Sequence, residues 1–473
     1  MLANNIKLNE LSLKPPSLPN LIDLLTTGGD WRITLAPDTG VNAYGYAATP
    51  NPSAYAFGSS TCSQISARGF EQSLQRLQHL QERLNANDFI SVYDDELEQL
   101  RQRLHRLLTL PQHTDIVFSP SGTDAHGLLA RLLAYRVAKP LTIIMMDSHE
   151  TGRGVASALI DSQNDALKPI LHSVRLRQAD SQLRLYHEID TETEALIVHA
   201  LNHQHHVLLI MIDQSKTGLI APSLASVLAL KQRYGDALTV LVDACQFRLA
   251  PDTLSLYLKQ DFIVAVTGSK FLTGPAFSGA LLIPETCAQW LKSKALPNTI
   301  ARLSNGAEWP NTWPGREQLG LNTNFGLLLR WHAALDELEL LLNFSDTQIS
   351  GFIQRFQHTL IETVSQYPAL EWVTTPEPNR QALTTFKHWD SLATIWTLRL
   401  PRYNEAQVLA FYQTLQQRHY QLGQPVVIGT QDSTRVTGLR LSLSARLIVE
   451  ALADSEQTVM AKAVKTLTKL AGD

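Results

Sequence analysis

Residues 238–246 read Leu-Thr-Val-Leu-Val-Asp-Ala-Cys-Gln, and residues 262–270 read Phe-Ile-Val-Ala-Val-Thr-Gly-Ser-Lys. Each starts as a short, mainly apolar run (Leu238–Val242, Phe262–Val266) and stops at small or polar residues. Such runs read as buried strands. Outward from this pair the same alternation continues. Ile116–Phe118 is followed by a helical pattern from about Asp124 to Ala138, and Leu141–Met146 by one at Gly154–Asp161. Val207–Ile212 precedes a helix at Leu224–Tyr234, and Ala280–Ile283 closes the series. Strand–helix–strand alternation over roughly residues 110–300 predicts an α/β domain with a mainly parallel sheet flanked by helices.

The flanks read differently. Leu74, Leu77, Leu80 and Leu84, then Leu97, Leu100, Leu104 and Leu107, recur at three and four, which predicts two amphipathic helices ended by Pro111. Helices at Asn324–Leu342 and Ser345–Gln366 lead into a small α+β domain. It has strands at 370–374, 394–400, 425–428 and 438–443, and helices at 405–418 and 456–470. Residues 1–70, with Pro15-Pro16, Gly28-Gly29 and the Asn42–Ser60 stretch, are mostly irregular. They are either a functional loop region or an arm laid over the body. The expected division is 1–70, an N-terminal arm with substrate-side loops; 71–325, the large domain; and 326–473, the linking helix and small domain.

Composition narrows the function. Of 473 residues 44% are hydrophobic and 18% charged, enough to bury a large core and too apolar for a disordered chain. A net charge of −4 argues against holding nucleic acid or an anionic membrane by bulk charge. The longest strongly apolar run is six residues against the ~20 a membrane helix needs. Cys62, Cys245 and Cys287 lack disulfide-framework or CxxC zinc spacing, and the N-terminus has no secretory pattern, so a cytoplasmic location is expected.

Four places put polar residues at the carboxyl end of a predicted strand, the edge where open α/β sheets bind ligands. Ser121-Gly122-Thr123 at a helix start suits an anion, or is an ordinary N-cap. His149, in Asp147-Ser148-His149-Glu150, offers a flat ring for stacking, or is a loop residue. Asp243 can pair with a positive nitrogen on a ligand, or end a turn. Lys270 can form a Schiff base, since lysine loses its charge readily when desolvated, or is a solvated loop lysine.

Taken in order and spacing, with Asp243 preceding Lys270 by 27 residues, these features resemble the fold-type I enzymes dependent on pyridoxal 5′-phosphate (PLP). The nearest likeness is to the class V aminotransferase and cysteine desulfurase group. The resemblance covers about residues 115–283 and extends more loosely to the C-terminus. It implies that Ser121, Gly122 and Thr123 hold the cofactor phosphate, helped by Thr267 and Ser269. His149 would stack on the ring, Asp243 pair with the ring nitrogen, Gln246 bond the ring hydroxyl, and Lys270 carry the Schiff base and then move protons. Ser278, in Gly274–Gly279, resembles the loop that serves a neighbouring subunit's phosphate, which implies a homodimer with shared sites. Ser215-Lys216-Thr217-Gly218 resembles the S-x-T-G stretch of class V aminotransferases and makes Ser215 a substrate-side candidate. Arg440, in Leu439-Arg440-Leu441-Ser442, would grip the substrate carboxylate, or is a strand arginine on a solvent face.

Two features depart from the desulfurases. Ser269 stands where they have histidine before the lysine, and no cysteine follows Cys287 to act as their mobile nucleophile. His199, His203, His205 and His206 cluster without an acidic or cysteine partner, so a polar helix end is read there rather than a metal site. The expected function is a PLP-dependent transferase acting on an amino acid or small amine, first an aminotransferase. The alternatives are a lyase or carbon–carbon bond-forming or -breaking enzyme, or a non-catalytic binding protein on the same fold.

Overall fold

A strand that is apolar on both faces needs cover on both faces, and this requirement organises the molecule. The computed structural model describes residues 17–85, 87–161, 168–320, 322–431 and 434–472; residues 1–16 of the expected arm, with Pro15-Pro16, lie outside them. Its strands are β1 Tyr55–Phe57, β2 Asp115–Ser119, β3 Leu141–Met146, β4 Ile170–Val174, β5 His206–Asp213, β6 Ile220–Ala221, β7 Leu238–Ala244, β8 Ile263–Thr267, β9 Gly279–Ile283, β10 Glu371–Trp372, β11 Ile395–Arg399, β12 Tyr420–Gln431 and β13 Thr434–Ser442. Every residue of β3, β5, β7, β8 and β9 is buried.

The large sheet has the order β2-β9-β8-β7-β5-β3-β4, with β6 paired to β5. From β4 to β8 the pairing is parallel. β9 runs antiparallel between β8 and β2, so β2 points the same way as β8. The carboxyl ends of β2, β3, β7 and β8 therefore share one edge. This confirms the α/β class with a mainly parallel sheet flanked by helices.

The second sheet, β1-β12-β13-β11-β10, belongs to the C-terminal part except for β1. That strand comes from the N-terminal segment and pairs parallel with β12, Tyr55 opposite Tyr420. Residues 17–66 are thus tied into the small sheet. Helices Ala67–Leu84 and Phe89–Leu107 pack against Phe325–Leu341.

Sequence periodicity located most elements to within a few residues and missed others for visible reasons. β4 lies at the sheet edge with much of its length partly exposed, so it lacks an apolar run. β1 has three residues and borrows its stability from β12. The expected strand at 370–374 shrinks to two residues, and the one at 425–428 grows to twelve because bulges at Gly423/Val426 and Val427/Gly429 carry it past the turn-like glycines.

Candidate active site

Ser119 ends β2, and the chain turns at once into helix Gly122–Arg136 with Ser121 as N-cap, its hydroxyl accepting from Asp124 N at 3.2 Å. The first amides of a helix have no partner within it, so they face whatever lies beyond the sheet edge. Gly122 is required there: a Cβ would stand 2.5 Å from Cys245 Sγ. β7 delivers Asp243 to the same edge and β8 delivers Thr267 and, just beyond it, Lys270. Together they enclose a cavity of about 140 Å³.

Ser121, Gly122, Thr123, Asp243, Thr267, Ser269, Lys270 and Ser278 all line it. Asp243 Oδ1 accepts from Cys245 N at 3.2 Å. The Thr267 hydroxyl donates to Cys245 O at 2.7 Å, joining the ends of β7 and β8. Among the described residues Lys270 Nζ has no hydrogen-bond or ion-pair partner. A lysine amine at a strand end with small neighbours and no partner is placed to form a covalent bond with a ligand.

The other four expected residues lie elsewhere. The His149 side chain is 61% exposed, its Nδ1 3.1 Å from Asp147 Oδ1, and it is not part of the cavity wall. Asp147 also takes the His149 backbone N–H at 2.7 Å, and this local turn aims the ring at solvent. Gln246 is buried behind the cavity, donating to Ser60 O at 3.0 Å. Ser215 donates to Glu150 Oε2 at 2.6 Å. Glu150 also accepts from Thr217 and from Arg177 Nε at 2.9 Å. Burial pushes this carboxyl up, but Arg177 and the two hydroxyls more than offset that and hold it below the usual glutamate value. The S-x-T-G loop is therefore anchored by Glu150, with Gly218 at φ +97° supplying the turn.

Arg440 faces protein rather than solvent. It is 3% exposed. Its Nε and Nη2 donate to Gln424 O at 3.2 and 2.8 Å, its Nη1 to Ser60 O and Lys216 O at 3.2 Å each, and its Nη2 to Thr61 Oγ1 at 2.8 Å. These contacts use all five N–H groups of a guanidinium. Burial pushes its pKa down to about 10. It joins the N-terminal segment, the S-x-T-G loop and β12. Arg440→Ala is accordingly expected to destabilise the fold by about 3 kcal/mol, because several buried carbonyls lose a charged donor at once. Urea unfolding measures this; an Arg440→Ala protein of unchanged stability with weakened amino-acid affinity would return the residue to the substrate.

Among the cavity residues that were not legible in the sequence as site residues are Arg32, Tyr44, Thr61 and Cys62. These four come from the irregular N-terminal segment, where no periodicity marks them. Arg32 is held by a two-pronged pair with Asp30, Nε–Oδ1 2.9 Å and Nη2–Oδ2 2.6 Å, and its guanidinium lies 5.3 Å from the Phe277 ring centre. Phe277 has φ +71°, an unfavourable value for a bulky residue, and Arg330 Nε holds its carbonyl at 2.8 Å. The 274–279 loop thus lines its own chain's cavity, packed against Ile33, Tyr46 and Cys62.

Thiol chemistry is disfavoured here. Burial pushes the Cys62 thiol up to about 12 and Cys245 well above its usual value, so both stay protonated at neutral pH. Cys287 Sγ sits on a distant helix facing Asp261 O at 3.4 Å. The His199 and His203 rings lie 4.4 Å apart, tilted by 44°, and His206 bonds Thr239 at 2.8 Å. Among the described residues no group of three or more His, Cys, Asp or Glu side chains is placed to hold a metal ion, and no helix is long and apolar enough to cross a membrane.

No family model matches the sequence, and no curated protein does. Solved structures do. The complex of the cystine C–S lyase C-DES with its reaction product cysteine persulfide matches at TM-score 0.57 and 15% identity, covering 89% of this chain and 98% of that one. The cysteine desulfurase CsdA from Escherichia coli matches at TM-score 0.55 and 14% identity, covering 88% and 94%. A lysine-to-alanine variant of C-DES with glycine covalently linked to its PLP cofactor matches at TM-score 0.55 and 16% identity, covering 87% and 97%. At such identities the likeness is one of fold, and it spans nearly the whole chain.

Proposed function

We propose that this chain is a PLP-dependent enzyme that acts on an amino acid or small amine, with transamination as its reaction. The observation that carries the reading is the meeting of Lys270, Asp243 and the Ser121-Gly122-Thr123 helix start in one cavity at the carboxyl edge of the sheet. The fit is specific. A Cβ at residue 122 would crowd Cys245 Sγ in the cavity wall at 2.5 Å, and the buried Nε2 of His126, in the same wall, has no hydrogen-bond partner among the described residues.

The first-turn amides of residues 121–123, with the hydroxyls of Ser269 and Ser278, would hold the phosphate, Thr267 spends its hydroxyl proton on Cys245 O, and Arg32 adds a cation to the wall. Asp243 would hold a proton on the ring nitrogen. Lys270 would bind the aldehyde carbon covalently, and its free amine is the group that moves protons near the reacting carbon. When bound, PLP supplies an electron sink for charge developing at the substrate's α-carbon. The buried walls exclude water from these charges, which strengthens each of them. A homodimer belongs to this proposal on the sequence resemblance alone.

Lyase chemistry is the second reading, favoured by the C–S lyase among the similar structures. High thiol pKa values in the cavity argue against a cysteine-nucleophile desulfurase. An amino-acid panel on PLP-loaded protein separates these. Stoichiometric oxo acid without ammonia is expected. Ammonia release with catalytic turnover would make it a lyase, and failure to take up PLP would remove both readings.

A further inference from the structure

His126 belongs to none of the motifs that mark this site. It lies on the first turns of helix Gly122–Arg136, fully buried, and it lines the cavity. Its Nδ1 stands 2.6 Å from the carbonyl oxygen of Gly122, an acceptor, so Nδ1 carries a proton. Its Nε2 stands 3.6 Å from Asp243 Oδ2 and has no hydrogen-bond partner among the described residues. With a bare lone pair on Nε2, two acceptors would face each other in a dry site, and neither would be satisfied. A proton on Nε2 removes that conflict. The imidazolium then donates to Gly122 O on one side and pairs with the carboxylate on the other.

We propose that His126 is a positioning residue: paired with Asp243 Oδ2, it holds that carboxylate ionised and oriented, so that the proton shared between Asp243 and the cofactor's ring nitrogen stays on the ring. This rests on the PLP reading above. The proton balance is simple. In a low-dielectric pocket, a carboxylate without a cationic partner becomes the stronger base. Removing the imidazolium would therefore move the shared proton from the ring nitrogen to Asp243, leaving both neutral. No other atom is transferred. The Cys245 N–H already engages Oδ1 at 3.2 Å, so the carboxylate is fixed at both oxygens.

The test uses full-length protein loaded with PLP labelled with ¹⁵N in the ring, and compares wild type, His126→Asn, His126→Phe, Asp243→Asn and the His126→Asn/Asp243→Asn double variant. The wild-type resonance is expected at the protonated position at neutral pH. Both His126 variants should move it toward neutral pyridine and weaken PLP binding about tenfold. The double variant should bind PLP within about twofold of Asp243→Asn alone, because the two residues act through one contact. An unmoved resonance in both His126 variants, wild-type affinity in His126→Phe, or losses that multiply in the double variant would each overturn the proposal. Wild-type protein that binds no PLP would instead overturn the functional reading beneath it.

Discussion

Lys270→Ala is expected to abolish turnover, with a loss of about 10⁴-fold or more relative to wild type. The substitution removes the covalent hold on the cofactor aldehyde and the amine that moves protons, two roles no neighbour can take. Ser269 is a hydroxyl beside it, and Lys216, the other lysine whose charge reaches the site, spends its Nζ on Ser148 O at 2.8 Å. The cavity itself should survive, since no described residue depends on Lys270 Nζ for a hydrogen bond. The variant should therefore remain folded, and a small added amine should restore a fraction of the rate. Single-turnover assays with the best substrate of the panel check this. Retention of more than about a tenth of the wild-type rate would mean that the chemistry does not pass through this lysine.

Asp243→Asn is expected to keep the cofactor bound and cut turnover about 10³-fold, roughly 4 kcal/mol in the barrier. An amide has nearly the carboxylate's shape but cannot stabilise a proton on the ring nitrogen, so the electron sink is weakened where it is needed. The neighbouring contacts should hold: the Asn oxygen can still accept from Cys245 N, as Asp243 Oδ1 does at 3.2 Å. Steady-state kinetics should show the loss in kcat with KM changed far less. A near-normal rate would show that the ring is activated by another group.

The parts of this molecule that were legible in its sequence are those whose physics is local. β3, β5, β7 and β8 are runs of adjacent apolar residues buried on both faces, and their ends carry Asp243 and Lys270 directly to the ligand edge. The Ser121-Gly122-Thr123 start is likewise contained in consecutive residues. What was illegible depends on chain segments brought together from afar. His126 acquires its role only when β7 sets Asp243 beside it, and Arg32, Tyr44 and Cys62 only when the N-terminal segment folds across the 274–279 loop. Arg440 looked like a free cation because the carbonyls of Ser60, Lys216 and Gln424 that engage it leave no mark in a sequence. His149 was drawn to solvent by Asp147, two residues before it, a contact that competes with any ring-stacking role.

Borohydride reduction shows which amine carries the cofactor. PLP-loaded protein is reduced, digested and mapped by mass spectrometry. A single pyridoxyl-phosphate group is expected, on the peptide containing Thr267-Gly268-Ser269-Lys270 and localised to the Lys270 amine. A label on Lys216 or on any other lysine, or stoichiometric PLP binding with no reducible linkage, would rule Lys270 out as the point of attachment.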